Sequence, residues 1–448
     1  MKPYARCGAF ARRLFSLGIL VGLFFPAFAG ADAVTVVNIA TTNNPDMLVL
    51  QRLSSVFEKS HPDIRLNWHI MDEGVLRGRV TTDITTSAGQ FDLMTIGLWS
   101  TPLWAEKEWL VPFDLPSDYD VDDLLKPVRA GLSSQGKLYA LPFYAESSMT
   151  YYRKDLFARK KLVMPARPSW EEIETFAAQL NDPAAGVAGI CLRGRPGWGE
   201  NMALIGTMVN AHGGRWFDEQ WRPQLDTPEW ARAVGLYVDL LRKYGPSDAV
   251  QNGFSENLAL FAAGKCAMWI DATVAAGRLY HGKDSRVFDK TAFVAAPTAT
   301  TAKGAQWLWV WALAVPHSSK SKEAAKKFAV WATSKEYIQL VAEADGWGLA
   351  PPGTRKSTYA SDGYQKASPY ADFVLDAITS ADPANPTLKP VPYVGIQIVT
   401  IPEFQSIGTF TGQAIARAVA GRSSVETALN SAQTITMRLM QQGRYIKY

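Results

Sequence analysis

The chain has 448 residues, with 46 Lys and Arg, 42 Asp and Glu, and five His. Four of the bases and none of the acids precede Asp32, so the remainder balances 42 cations against 42 anions. That neutrality argues against nucleic acid or an anionic surface as a partner, and five histidines argue against a histidine-rich metal centre.

Residues 1–13 carry Lys2, Arg6, Arg12 and Arg13 and no acid. Leu14 to Phe25 is an apolar run, closed by Pro26 and the small residues Ala27, Ala29, Gly30 and Ala31. A basic start, a short apolar core and a small-residue exit make a secretory signal over 1–31. Twelve apolar residues are too few to cross about 30 Å of hydrocarbon. The exported part is longer than one ordinary core, so two lobes are expected. It retains Cys191 and Cys266. Export permits a disulfide, but spacing alone does not bring the two together, and two buried thiols are the reading favoured here.

From Asp32 the pattern alternates. Val34 to Ile39 reads as a strand, and Met47 to Lys59 repeats apolar residues at helical spacing. Ile64, Leu66, Trp68 and Ile70 alternate as in a half-buried strand. A helix over Val75 to Ser87 and a strand over Phe91 to Ile96 complete a βαβαβ order, which implies a mostly parallel sheet. Ligands of such sheets bind beyond the carboxyl ends of the strands, which points to the loops around Asn43 and Trp99. Gly131 to Lys137 (GLSSQGK) has phosphate-loop spacing, but Leu138 stands where a magnesium-binding Ser or Thr belongs.

Next comes Gly136 to Phe157, GKLYALPFYAESSMTYYRKDLF. Leu138 to Leu141 is extended, and Pro142 removes a backbone donor. Glu146 is a lone acid in uncharged surroundings, and Met149 to Tyr152 is a second strand. Two strands in series around a polar joint read as a passage between lobes. Beyond it, Ser169-Trp170-Glu171-Glu172 is a capping box opening a helix to about Leu180. Val187 to Leu192 reads as a strand, followed by the glycine-rich RGRPGWGEN with Arg195 and Trp198. Helices are expected over Asn201 to Ala211, Pro228 to Tyr244 and Glu256 to Ala263. Cys266 to Ile270 is a strand ending in Asp271. Phe293 to Ala296 leads into Pro297, a second passage, and Trp307 to Val315 is a dense apolar strand. One long helix is expected over Ser321 to Ala344. Gly346 to Pro352 (GWGLAPP) reads as a third passage, before helices over Phe410 to Ala420 and Val425 to Gln442.

There is no GxSxG elbow and no HExxH pair, so no cofactor or metal is expected. Glu146 and Asp271 are candidates for a glycosidase acid pair, and each can equally accept hydroxyls in a binder. The Gly136–Phe157 run resembles the first crossover of the bacterial extracellular solute-binding proteins of the sugar-binding type. GKCAMWIDAT, the run from Gln306 to Ala314, GWGLAPPGTR and AVAGRSSVETALNSAQT resemble that family in the same order. CLRGRPGWGEN, RWFDEQW and KCAMWIDAT bring the sequence nearest to its sorbitol- and mannitol-binding members.

The resemblance implies an α/β, two-lobed fold of the type II periplasmic binding proteins, with discontinuous lobes and three hinge crossings. Lobe one is expected over 32–143 plus 297–345, and lobe two over 144–296 plus 346–448. Pro142, Pro297 and Gly346 punctuate the crossings. It implies a monomer in the periplasm that binds a small neutral polyol or sugar and meets an ABC permease in the inner membrane. Its cleft pattern falls on Asn43, Trp99, Glu146 and Asp271. Arg195 and Trp198 join them from the glycine-rich loop, and Trp307 and Trp347 from the later crossings. A mono- or oligosaccharide binder and an exported carbohydrate-active enzyme stay as alternatives.

Overall fold

A computed structural model describes residues 34–446. The segment read as an export signal lies outside them. Strand β1 spans Thr35–Thr42, helix α1 Pro45–Ser60, β2 Ile64–Met71, α2 Glu73–Thr86 and β3 Leu93–Gly97. Asn44 caps α1 by accepting from the Met47 amide at 2.9 Å, and Pro45 occupies its first turn. Met47, Leu50, Leu53 and Phe57 fall on its buried face. β1 pairs in parallel with both β2 and β3.

Beyond a two-residue pair at Ser133–Ser134 and Lys137–Leu138, five longer strands follow: β4 (Leu141–Glu146), β5 (Ser148–Arg153), β6 (Met268–Ala272), β7 (Thr291–Ala295) and β8 (Trp309–Ala314). One sheet runs β2-β1-β3-β8-β4, with β8 antiparallel to both neighbours. The other runs β6-β5-β7 and is antiparallel throughout. Glu146 ends β4 and Ser148 begins β5, so a single residue, Ser147, separates the two sheets. The chain returns between Ala295 and Trp309 and leaves the first sheet's helices again after Asp345. There Gly346 takes a φ of 97°, a left-handed conformation that glycine adopts without strain. This is the two-lobed α/β fold with three crossings. Pro142 lies inside edge strand β4, beside the register irregularity at Trp311/Ala312, where a missing amide is tolerated.

The capping box holds: Ser169 accepts from the Glu172 amide, and Glu172 accepts from the Ser169 amide. Other expectations are corrected. Val187 to Leu192 forms two isolated parallel bridges, Ala188 with Cys266 and Cys191 with Trp269, in place of a strand. Its Gly189 lies so close to the helix Trp170–Leu180 that a Cβ would sit 2.2 Å from the Ala177 carbonyl. The helix expected over Ser321 to Ala344 is two, Lys322–Ala332 and Lys335–Asp345. Arg355 donates to the Thr333 carbonyl, and Ser334 caps the second helix. Cys191 and Cys266 form a disulfide, with Cα atoms 5.9 Å apart. The two bridges place both cysteines on neighbouring chain segments, a proximity that their spacing in the sequence conceals. GLSSQGK is a hairpin turn, in which Gln135 and Gly136 both take positive φ between two-residue strands. Among the described residues no helix is long and apolar enough to cross a membrane.

Candidate functional site

A cavity of about 790 Å³, its mouth included, lies between the sheets. The loop after β1 contributes Asn43 and Asn44, and the start of α2 contributes Glu73 and Arg77. Tyr144 and Glu146 come from β4, and Trp309 and Trp311 from β8. The glycine-rich loop contributes Arg193, Arg195, Trp198 and Glu200, and the second crossing Trp307. Trp309 pairs directly with Glu146 in the sheet, so an indole and a carboxyl are placed side by side. Gly97 leaves room for the Trp309 ring, since a Cβ there would lie 2.2 Å from it.

The walls are aromatic with polar atoms between. Trp198 packs against Trp309 with ring centroids 6.0 Å apart, and Trp309 against Trp311 at 5.4 Å. Three buried polar atoms of this wall have no hydrogen-bond partner among the described residues: Trp307 Nε1, Gln397 Oε1 and Glu200 Oε2. Buried polar atoms normally find partners, and an orphan costs roughly 1–3 kcal/mol. The three orphans share one cavity, one donor and two acceptors. That arrangement suits a ligand carrying several hydroxyls, each of which can donate and accept.

Of the residues expected from sequence, Asn43, Glu146, Arg195, Trp198 and Trp307 line this cavity. Arg195 is held by the Glu256 carboxylate at 2.6 Å and the Gln251 carbonyl at 3.1 Å. Trp99 lies behind the wall, its Nε1 donating to the Val399 carbonyl at 2.9 Å and its ring backing Trp198. Asp271 is fully buried and engaged by the protein. It accepts from Arg193 Nη2 at 2.7 Å, from Arg193 Nε, from Trp269 Nε1 and from the Ala272 amide. Trp347 sits in a short 3₁₀ turn, its indole nitrogen hard against Gly363 and off the cavity.

Sequence reasoning passed over Arg193, Glu73, Arg77, Trp309 and Trp311. The alternation in Trp307-Leu308-Trp309-Val310-Trp311 carried a signal, because residues two apart in a strand share a face. Glu73 and Arg77 stand four apart on α2 and pair at 2.5 Å.

Burial dominates the acid chemistry. It pushes Glu146 well above the usual carboxylate range; the Arg193 charge opposes this, while Asp271, Glu73 and Asp46 add to it. Burial raises Glu200 to about 7, with Glu73 adding and Arg193, Arg195 and Arg77 opposing. Arg193 is held above its ordinary value: burial pulls it down, but the Asp271 charge and hydrogen bonds outweigh that. A carboxyl whose folded pKa is raised stabilises the fold below its unfolded value and loses that contribution as pH rises through the folded one. For Glu200 the window therefore runs from the ordinary 4.5 up to about 7. The melting temperature of the ligand-free protein is expected to fall across that window. Glu200→Gln should flatten the profile, and an unchanged slope in the variant would remove Glu200 as its source.

The sequence from 41 to 339 matches the family model for bacterial extracellular solute-binding proteins. The chain belongs to that family. The mannitol-binding protein of Pseudomonas aeruginosa is 56% identical over 419 residues, covering 93% of this chain and 95% of its own. An ABC transporter solute-binding protein of Agrobacterium vitis S4, solved with bound D-mannitol, is 53% identical. It superimposes with a TM-score of 0.91 over 92% of this solute-binding protein and 100% of its own chain. A maltose-bound Thermotoga maritima protein shares the fold at 19% identity and a TM-score of 0.76, covering 90% of this chain and 100% of its own.

Proposed function

We propose that this chain is the periplasmic substrate-binding component of an ABC importer, and that it captures a linear polyol of the sorbitol and mannitol class. The observation that carries the reading is the cavity wall, where indoles alternate with Trp307 Nε1, Gln397 Oε1 and Glu200 Oε2, all without a partner among the described residues. Indole faces suit the C–H patches of a polyol, and the polar atoms suit its hydroxyls. The names of the two relatives more than half identical point the same way. On this reading Asn43, Glu146, Arg195, Trp198 and Trp307 meet the ligand, whereas Trp99 and Asp271 support those that do. Each lobe takes one sheet, so the first extends through Glu146, beyond the expected boundary at 143, and the stretch from Pro352 to Arg355, expected in the second lobe, bonds to the first; the chain would bend near Ser147 and at the two later crossings. Periplasmic binding proteins are themselves a known case of hinge closure around a ligand, and the closed monomer would dock on the permease. The protein binds without catalysing: a glycosidase acting through Glu146 and Asp271 would need the second acid free, and Arg193 occupies it.

Calorimetry against mannitol, sorbitol, arabitol, glucose and maltose tests the reading. Tighter binding of the hexitols than of the sugars supports it, and binding of maltose alone sinks it. Glu146 makes no side-chain hydrogen bond among the described residues and stands in the wall beside Trp309. Glu146→Gln is expected to weaken hexitol binding by about 1–3 kcal/mol, because an amide nitrogen replaces one carboxyl oxygen and leaves a ligand hydroxyl without its acceptor. The unfolding midpoint should not fall. Unaltered affinity in the same titration would take Glu146 out of the site.

A further inference from the structure

A narrow gap lies behind the ligand cavity. With its opening to solvent counted it spans about 230 Å³, with room inside for about one water, and it is bounded by Val80, Thr81, Thr95, Ile96, Trp104 and Gln405. Its polar groups are partly paired already, Thr95 donating to Thr41 at 2.9 Å and Gln405 to Thr81 at 3.3 Å. Three side chains belong to the walls of both spaces: Arg77, Trp198 and Trp311. Two of them are indoles fixed by packing, and the third is a flexible cation held in one place.

We infer that Arg77 is the end wall of the ligand site and sets the length of the polyol that fits. The inference rests on the polyol reading above. The Arg77 guanidinium carbon stands 3.9 Å from the Trp198 ring centroid, 4.7 Å from Trp309 and 4.8 Å from Trp311. Glu73 fixes its other edge, accepting from Nε at 3.0 Å and from Nη2 at 2.5 Å. An ordinary ion pair four residues apart on a helix is solvated and loose. This one is 12% exposed at the arginine and sits against three indoles. Gly199, from the glycine-rich loop, comes so close that a Cβ there would meet Arg77 Nη2 at 2.8 Å. A planar guanidinium stacked on aromatic faces is rigid in a way that a lysine is not. Arg77 Nη1 makes no hydrogen bond among the described residues, so the wall also presents a donor to a terminal hydroxyl. A six-carbon chain ends against it, and a longer ligand would need the space that the Arg77 side chain itself fills, together with the gap behind it.

The test compares the unaltered protein with Arg77→Ala and Arg77→Met by calorimetry, using mannitol and maltitol, a hexitol carrying an added glucosyl unit. The unaltered protein should prefer mannitol. Arg77→Ala should bind maltitol about tenfold or more tighter than the unaltered protein does, and mannitol more weakly. Arg77→Met refills the space without the charge, so it should exclude maltitol while still losing mannitol affinity. Two results overturn the inference: Arg77→Ala loses mannitol and gains nothing for maltitol, or the unaltered protein takes both equally. If the unaltered protein binds no polyol, the ligand reading fails by itself. A crystal structure of Arg77→Ala then decides the partition. Solvent continuous from Glu146 to Thr95 supports it, and Trp198 collapsed into the gap overturns it.

Discussion

Asp271→Ala is expected to cost the ligand-free protein about 3–5 kcal/mol of stability, the range for breaking one half of a buried ion pair. Asp271 is completely buried, and Arg193 is 7% exposed at its side chain. Three Arg193–Asp271 contacts between 2.7 and 3.1 Å tie the glycine-rich loop to the end of β6. Truncation leaves a largely buried guanidinium without the carboxylate it is hydrogen bonded to, and it orphans the Trp269 indole nitrogen as well. Asp271→Asn should lose less, because it keeps the shape and part of the hydrogen bonding. The double change Arg193→Met with Asp271→Leu should recover most of the stability, since it leaves no charge behind. It should not recover hexitol binding, because Arg193 itself lines the cavity. Denaturant midpoints at constant slope read the first three effects and calorimetry the last. A midpoint for Asp271→Ala within about 0.5 kcal/mol of the unaltered protein would mean that Arg193 swings to water and the pair is not structural.

Much of the fold is legible because it is written in local rules. The Asn201–Ala211 helix falls where its apolar composition puts it and is buried all round, and Val425–Gln442 keeps its expected bounds. Trp170–Leu180 begins at its capping box. The rule that ligands bind beyond strand ends directs attention to Asn43, which lines the cavity, and to Trp99, which backs it. Where the reading fails, the deciding partner lies far along the chain. An acid at the end of β6 can face a ligand or hold an arginine, and nothing near Asp271 in sequence says that Arg193 is there. The break at Thr333 and Ser334 is decided by Arg355, 22 residues away. Arg77 looks like any solvated helix cation until Trp198 is laid across it, 121 positions later in the sequence. Fifteen tryptophans dilute the aromatic signal. Trp170, Trp216, Trp230 and Trp269 are fully buried core, and only the strand alternation around Trp309 separates wall from core.

Removing the disulfide with Cys191→Ser and Cys266→Ser is expected to lower stability by about 4 kcal/mol, the loop-closure value for a separation of this size. That separation is 75 residues. The bond joins two segments that are already hydrogen bonded, Cys191 donating to the Met268 carbonyl at 2.8 Å and Ala267 to the Ala188 carbonyl at 2.8 Å. Its position gives it a second effect. Arg193 lies two residues beyond Cys191, and Asp271 five beyond Cys266. The crosslink therefore staples the two chains that carry the buried ion pair, just upstream of it on each. Loss of the bond should loosen Arg193 at the cavity wall and weaken hexitol binding as well as lowering the unfolding midpoint. Protein made without residues 1–31, in a reducing compartment, should show two free thiols on denaturation and the same lowered midpoint. Oxidised and reduced protein with equal midpoints would show that the native hydrogen bonds hold these segments unaided. An equal affinity with a lowered midpoint would confine the crosslink to stability and separate it from the site.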